Sequence, residues 1–464
     1  MSTQRMSNNR HHSRPKPSIP RPKDRRGGNR WLWIWLGLTG VGMLSAMAGA
    51  ILAVSLSATP LRQVFLSHHD DDSVFQDDTI ALSNLRFPSL TRPVNILVLG
   101  VKVLSSDLNL RLPPEEDPGY LFTVDSFEGR SDTMLLLRFD PQLQKLTVLS
   151  IPRDTQTTIP GYGTMKINAA NAHGGPALTA KAVSHLLADV PIDRYVRVNV
   201  QGVEKLIDAL GGVNLYVPTA MRYTDHSQHL YINLQEGEQH LDGEKALQFL
   251  RFRYDQYGDI GRVQRQQTFM RALVEQVLRP STLMRIPRIL QVIRENIDTN
   301  LSVEELAALA GFAAQVDRGN IQMLMLPGEF NGTGQNGVSY WLPHHRQIEN
   351  LMAQHFNQGF AEYRSRNTNS LRIAIQDSTG DREAVDTVVT MLYNQGYRNV
   401  QVGRRWREPL ETSRIVAQRG DDSSAFDVRR QLGIGEVRVE STGELSSDIT
   451  IQLGEDWRKL KNGN

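Results

Sequence analysis

Cysteine is absent from this chain. That excludes a disulfide framework, a thiolate metal site and a cysteine nucleophile, and it leaves the redox compartment undetermined. An excess of either charge is missing too: 52 Lys and Arg stand against 50 Asp and Glu, a formal net charge of +2. So small a balance says little about partners, because it averages over unlike segments. Residues 1–30 carry nine Lys or Arg against one acid, Asp24, with four Pro and few apolar residues. That composition cannot bury a core and predicts a disordered basic arm. From Trp31 to Leu61 charge is lacking altogether, over more than the roughly 20 residues needed to cross a bilayer. Trp31, Trp33 and Trp35 fit an interfacial aromatic belt, and the basic arm predicts a cytoplasmic N-terminus. A cleaved signal peptide, suggested by small residues around Ser57 and Ala58, competes with an uncleaved transmembrane helix at 31–57, but the apolar run is longer than such signals have. With the anchor kept, the chain is single-pass in the plasma (inner) membrane, and everything after Arg62 is extracytoplasmic.

The 464 residues allow two or three domains, each with its own core. Residues 58–87, with Asp70, Asp71, Asp72, Asp77 and Asp78, read as a solvated juxtamembrane connector rather than a metal site. From 88 to 360 helical and strand patterns alternate, predicting an α/β (α+β) domain whose central mixed sheet is covered by helices. VNILVLG, Val94–Gly100, has the length and β-branching of a buried strand. Gly129 to Thr155 reads as two strands around a turn at Pro141–Gln144. If Asp140 and Lys145 close that turn, antiparallel pairing sets Asp132 opposite Arg153 and gathers Arg130, Asp132, Arg153 and Asp154 at one end of the hairpin. Two readings fit: a cross-strand ion pair worth about 0.2–1 kcal/mol if exposed, or a carboxylate holding a divalent cation beside arginines that hold phosphates.

Lys166 is a further phosphate contact or an ordinary surface lysine. Pro176 suits the first turn of a helix ending near Leu187, and a helix from Val203 to Leu210 ends at Gly211 and Gly212. The strand GVNLYVP follows, then a loop with Tyr223 and His226 and a strand at Leu230–Leu234. His226, His229 and His240 lack ligand-like spacing and read as surface residues. Arg279 to Val316 reads as helical, with a capping signal at Ser302–Glu305, and Ile321–Leu326 as a strand. Residues 361–370 form a polar linker. LRIAIQD, Arg382–Gln395 and NVQVG then make a βαβ-like unit. With Ser413–Gln418, a helix near Phe426–Leu432 and ITIQLG, they complete a small α/β domain over 371–458. That domain shows no catalytic constellation and reads as an interaction or spacer module.

The chemistry concentrates in Leu250–Gln267, LRFRYDQYGDIGRVQRQQ, where Arg251, Arg253, Arg262 and Arg265 are interleaved with Asp255, Asp259 and Gln266. The segment from Glu244 to Leu250 reads as one helix, and Asp259 as the N-cap of a second, with Gly261 in its first turn and Arg262 and Gln266 on one face. Free N–H groups at a helix start beside guanidinium groups attract anions, and arginine pairs bidentately with phosphate. The alternative is a structural ion network of Arg251 and Arg253 with Asp255 and Asp259.

Taken in order, NILVLG, GRSDTMLLLRFDP, LSIPRDT, KINAANAHGGP, DALGGV, HLDGEKALQFLRFRYD and GDIGRVQRQQ resemble the LytR-CpsA-Psr family of extracytoplasmic phosphotransferases, over roughly 88–280. Residues 371–456 look like the smaller C-terminal domain of some members, with Gln376-Asp377-Ser378-Thr379-Gly380 where an NGTG-like loop often stands. The resemblance implies transfer of a glycopolymer from a polyprenyl-pyrophosphate carrier to a cell-wall acceptor, usually peptidoglycan, through a phosphodiester. It implies that Arg130, Arg153, Arg251, Arg253, Arg262 and Gln266 hold the pyrophosphate, with Lys166 assisting. It also implies that Asp132 holds Mg²⁺ and that the lipid chain lies in an apolar tunnel between sheet and helices. Arg130, Asp132, Arg153, Arg251 and Arg253 would carry catalysis. One departure stands out: Lys102 occupies a position where members often carry a second metal-site aspartate. Either Asp132 and phosphate oxygens alone hold a cation, or Lys102 supplies positive charge in its place. Asp154, Asp255 and Asp259 are the candidate general bases. A polyprenyl-pyrophosphate hydrolase or lipid-binding protein is the alternative; a membrane-bound transcriptional regulator is the third reading, but the arm 1–30 lacks a helix-turn-helix pattern and no nucleic-acid partner is expected.

Overall fold

The structure, a computed structural model, describes residues 74–76, 78, 80–82, 88–102, 127–226, 230–252, 258–277, 279–332, 339–359, 370–444 and 446–461. The basic arm 1–30, the span 31–57, the acidic residues Asp70, Asp71, Asp72 and Asp77, His229, Arg253, Asp255 and the linker 361–369 lie outside these, as do the side chains of Lys102, Asp259 and Arg262. Among the described residues no helix is long and apolar enough to cross a membrane.

The first elements in order are β1 (Val94–Lys102), β2 (Arg130–Asp140), β3 (Lys145–Ile151), β4 (Gln156–Ile159), β5 (Gly163–Lys166), α1 (Ala169–Leu186), β6 (Arg194–Asn199) and α2 (Val200–Leu210). Then come β7 (Val213–Val217), β8 (Met221–Asp225), β9 (Leu230–Leu234), β10 (Gly237–Leu241), α3 (Gly243–Arg251), α4 (Gly258–Val277), α5 (Ile286–Asn296), β11 (Ile297–Thr299), α6 (Val303–Ala313), β12 (Ile321–Met325) and α7 (His345–His355). Six strands form one mixed sheet in the order β11-β6-β1-β2-β3-β12. β1, β3, β6 and β12 run one way, β2 and β11 the other. The carboxyl ends of β1, β3, β6 and β12 therefore share one edge with the start of β2.

Both faces of this sheet are covered, which is why its strands read as nearly continuous apolar runs. Leu97, Leu99, Met134, Leu136, Leu149 and Ile151 bury one face against Ala170, Ala177, Leu178 and Val183 of α1. Ile96, Leu135, Leu146, Val148 and Met323 bury the other, with Ala308 and Phe312 of α6. α6 begins as its sequence foretells: Ser302 and Glu305 form a reciprocal capping box. Glu305 also takes up Arg194 of β6, whose guanidinium binds the Gln76 and Asp78 carbonyls. Phe75 is buried and bridges to Ile192. The end of the segment read as a solvated connector thus belongs to the core.

Three further readings are corrected by the structure, and one is found. The helix read from Pro176 to near Leu187 is found: α1 breaks at Gly174 and Gly175, the latter at φ 60, and a short helical stretch from Ala169 precedes the break. The loop around Tyr223 is the strand β8, paired with β9. The helical stretch 279–316 is interrupted by β11, whose three residues are all buried on the sheet edge. α4 begins at Gly258, so Asp259 lies inside it rather than capping it. His226 and His240 are exposed, as read.

The remainder comprises β13 (Arg372–Asp377), α8 (Arg382–Asn394), β14 (Asn399–Val402), β15 (Arg414–Ala417), α9 (Asp422–Leu432), β16 (Glu436–Val439) and β17 (Ile449–Leu453). They build a five-stranded sheet ordered β14-β13-β17-β15-β16, with β13 and β14 parallel around α8. The described residues from Val74 onward pack as one compact unit, and one apolar cluster runs from Phe75 through α7 to Trp457. A single parallel bridge, Met323 to Glu440, joins the two sheets edge to edge.

Candidate functional site

The β2–β3 hairpin decides where the site lies. Asp140 pairs with Lys145 and Met134 with Ile151, the register that places Asp132 across from Arg153. The Asp140 carboxylate closes the turn by accepting from the Leu143 N–H at 3.0 Å. At the far end β2 carries a bulge: Thr133 pairs with Gly100 and Ser131 with Val101, leaving Asp132 as the extra residue. Gly100 permits this, since a Cβ there would meet the Thr133 Cβ at 3.1 Å.

Arg153 Nη1 reaches Asp132 Oδ1 at 2.7 Å, and Arg153 Nε lies 3.6 Å from Asp154 Oδ2. The β4–β5 hairpin, which the sequence reading did not contain, turns back at Gly161 so that Lys166 pairs with Gln156 and its Nζ meets Asp154 Oδ1 at 3.0 Å. Lys166 also lies 5.6 Å from the centre of the Tyr340 ring, and the Trp341 N–H donates to the Asp154 carbonyl at 2.9 Å. Arg130 is exposed two residues from Asp132, with the Lys102 backbone as its pairing partner. The described residues thus bring together Arg130, Asp132, Arg153, Asp154 and Lys166 at the carboxyl edge, with the Lys102 backbone beside them. The four ionic side chains remain about 14–31% exposed, open enough to exchange internal partners for a ligand. Tyr340 and Trp341 escaped the sequence reading because only tertiary pairing brings them here.

Arg251 ends α3 and is half-buried; Gln266, also half-buried, sits two turns into α4. Among the described residues neither forms a hydrogen bond or ion pair with Asp132 or Arg153. The next residue along from Gln266, Gln267, faces away toward the second sheet and accepts the Ser441 N–H at 3.0 Å. On that same face Gln264 donates to the Gly443 carbonyl at 2.7 Å, and Arg271 forms an ion pair with buried Glu440. Burial would raise the Glu440 carboxyl, but Arg271, Arg438, Arg414 and a Thr442 hydrogen bond outweigh it and hold it below the usual range. The helix that follows the arginine-rich stretch is therefore clamped from behind by the second sheet.

No group of three or more metal-binding side chains converges among the described residues. The donor set suits Mg²⁺ only in company with substrate, because Mg²⁺ is commonly held by one or two carboxylates plus phosphates, and Asp132 already shares an oxygen with Arg153.

The LytR_cpsA_psr family model matches residues 66–357. This chain belongs to the LytR-CpsA-Psr family. A second model, described as LytR cell envelope-related transcriptional attenuator, matches residues 370–457. The chain is 33% identical over 231 residues to the polyisoprenyl-teichoic acid–peptidoglycan teichoic acid transferase TagV of Bacillus subtilis, covering 48% of this chain and 58% of that one. It is 36% identical over 233 residues to the TagU transferase of Halalkalibacterium halodurans, covering 50% and 73%. Of the first of these relatives the chain thus spans less than two thirds. Among solved structures, B. subtilis TagV aligns with a TM-score of 0.48 and 28% identity, over 58% of this chain and 98% of that one.

Proposed function

We propose that this LytR-CpsA-Psr protein is a membrane-anchored phosphotransferase that moves a glycopolymer from a polyprenyl-pyrophosphate carrier to peptidoglycan. The observation that carries it is the Arg130, Asp132, Arg153 and Lys166 cluster at the open edge of the sheet, inside the family match. The names of the TagV and TagU relatives support the substrate class. The uncharged run 31–61 supports an anchor at 31–57 that holds the site near its lipid-linked donor on the outer face of the membrane.

In this reaction the acceptor hydroxyl attacks the phosphorus that bears the glycan. The P–O bond to the second phosphate breaks, and polyprenyl monophosphate leaves with the bond electrons. Arg153 trades Asp132 for a phosphate oxygen, and Arg130, Arg251, Arg253, Arg262 and Lys166 neutralise charge that grows on the departing phosphate. Asp154, held by Lys166, is the one candidate general base whose side chain is described at the site; it takes the acceptor proton. Mg²⁺, when bound, would share the phosphate charge, with Asp132 as its protein ligand and Lys102 supplying further positive charge. The resemblance implies that the lipid chain is taken up between sheet and helices.

Mass spectrometry of lipid retained by the full chain in detergent tests this. The wild type retains a polyprenyl phosphate; the Arg251→Ala, Arg253→Ala double variant does not, at unchanged melting temperature. Retention by that variant at wild-type level overturns the assignment. Product analysis with and without peptidoglycan separates transfer from hydrolysis: free phosphate without a polymer-wall adduct favours a hydrolase.

A further inference from the structure

A cavity of about 430 Å³ opens between the C-terminal five-stranded sheet with its loops and the segment of β7, β8, α3 and α4, on the side of α4 that carries Gly261, Gln264, Arg265 and Thr268. Its size falls within the roughly 300–1,000 Å³ of small-molecule sites. Among the described residues, none of those singled out for pyrophosphate (Arg130, Arg153, Lys166, Arg251 and Gln266) lines it. Phe249 and Phe252, both buried, form an apolar wall. Buried Arg265 stands within it, its guanidinium 5.7 Å from the centre of the Phe252 ring. Arg404, Arg405 and Arg407, all exposed, lie along the rim. Two acids line it as well, and one of them, Glu408, is neutralised by Arg414 at 2.7 and 3.0 Å; the other is Glu444. The balance is cationic.

Two polar atoms give the cavity its character. Gln376 is 6% exposed, and its Oε1 is buried without a hydrogen-bond partner among the described residues. Trp406 Nε1 is likewise buried and without one. One is an acceptor, the other a donor, and both residues line the same cavity. A buried donor or acceptor left unpaired carries the full cost of its lost hydration, so native proteins rarely leave such groups bare. The backbone around them is fixed: the main-chain N–H of Trp406 donates to the Asp377 carbonyl at 2.8 Å, and the Asp377 carboxylate accepts from Thr379 and Gly380. These residues are the Gln376–Gly380 loop that the sequence singled out and the phosphotransfer site does not use.

A lipid tail would leave both atoms orphaned. A bare anion would suit the arginines but give Gln376 Oε1 no donor. Hydroxyl groups donate and accept at once, and a sugar ring also offers C–H edges to an aromatic wall. We propose that this cavity is a secondary subsite for a saccharide bearing a phosphate or carboxylate, its hydroxyls bound by Gln376 and Trp406 and its anion by Arg405 and its neighbours. The subsite rests on the phosphotransfer reading above, in which such a saccharide belongs either to the donor polymer or to the wall acceptor.

Isothermal titration of the full chain in detergent tests it with three probes: a disaccharide muropeptide carrying carboxylates, a glycosyl glycerol-phosphate oligomer, and a neutral disaccharide of N-acetylglucosamine. One of the anionic probes binds at least tenfold more tightly than the neutral one. Preference for the muropeptide places the acceptor here, and preference for the phosphate oligomer places the donor. Trp406→Phe, which removes the indole N–H together with part of the ring, weakens binding at least about fivefold, the worth of one hydrogen bond and some lost packing. Gln376→Leu and Arg405→Gln weaken it too, with melting temperatures showing that each variant folds. No binding by either anionic probe, equal binding of the neutral one, or wild-type affinity in Trp406→Phe overturns the subsite. Retention of polyprenyl phosphate by the same wild-type sample is read separately, so loss of that signal counts against the phosphotransferase and not against the cavity.

Discussion

Two aspartate–arginine pairs join neighbouring strands of the same sheet, and they could hardly differ more in what surrounds them. Asp298 is the register partner of Arg197, and the pair is 0% and 6% exposed, at 2.6 Å. Arg197 also donates to the Phe127 carbonyl and Asn171 Oδ1, and lies 5.2 Å from the centre of the Phe127 ring. Asp132 and Arg153 meet at a similar 2.7 Å but are 31% and 24% exposed, at the sheet's open edge. The buried pair has every reason to stay closed, since neither charge can return to water without unfolding. The edge pair loses little by opening, because exposed ion pairs contribute about 1 kcal/mol or less. Identical chemistry serves architecture in one place and, in the proposed reaction, ligand exchange in the other, and burial makes the difference.

Breaking the buried pair gives the largest effect. Asp298→Ala leaves the Arg197 charge uncompensated and destabilises the protein by about 3–5 kcal/mol in urea unfolding, whereas replacing both partners with apolar residues restores much of that. A loss no larger than that of Asp132→Ala would erase the distinction. Arg153→Ala does the reverse: transfer falls about 100- to 1,000-fold while stability changes by about 1 kcal/mol or less.

A third effect sharpens the contrast with a buried group that has no acid beside it. Burial first, and the Lys145 charge second, push the His355 imidazole down to about 4. Unfolded, it would protonate near the ordinary value of about 6.5. Unfolding therefore takes up a proton between those values, and stability is lost as pH falls from about 6.5 towards about 4, by about 3 kcal/mol at most. His355→Phe flattens that slope in urea titrations at pH 7.5 and 4.5; an unchanged slope refutes the assignment. The smallest effect comes from Asp132→Asn, which costs about 1 kcal/mol or less in stability. If Asp132 holds Mg²⁺, the same variant removes the response of transfer to added Mg²⁺ and to chelator, measured at fixed ionic strength.

The difference between the two pairs was only half legible in the sequence. The edge pair follows from local arithmetic: Pro141 and its neighbours mark a turn, Asp140 and Lys145 close it, and a constant sum of partner numbers delivers Asp132 to Arg153. The buried pair was invisible, because Ile297–Thr299 continues a helical pattern and becomes a strand only by pairing with Val196–Val198. The same holds for Lys166, which reaches Asp154 through a hairpin of four-residue strands too short to carry a period.

By itself, the sequence determined what depends on neighbours along the chain: the β2–β3 register, the Ser302–Glu305 capping box, the left-handed helix end at Gly211 and the apolar strands of the central sheet. Turn chemistry, capping and side-chain periodicity act over a few residues, so they can be read locally. Only the tertiary structure decided which charges are buried, how α4 is clamped by Glu440 and Ser441, and that Gln376 and Trp406 share one cavity. Those outcomes depend on solvent exclusion between segments distant along the chain, for which no local pattern is required.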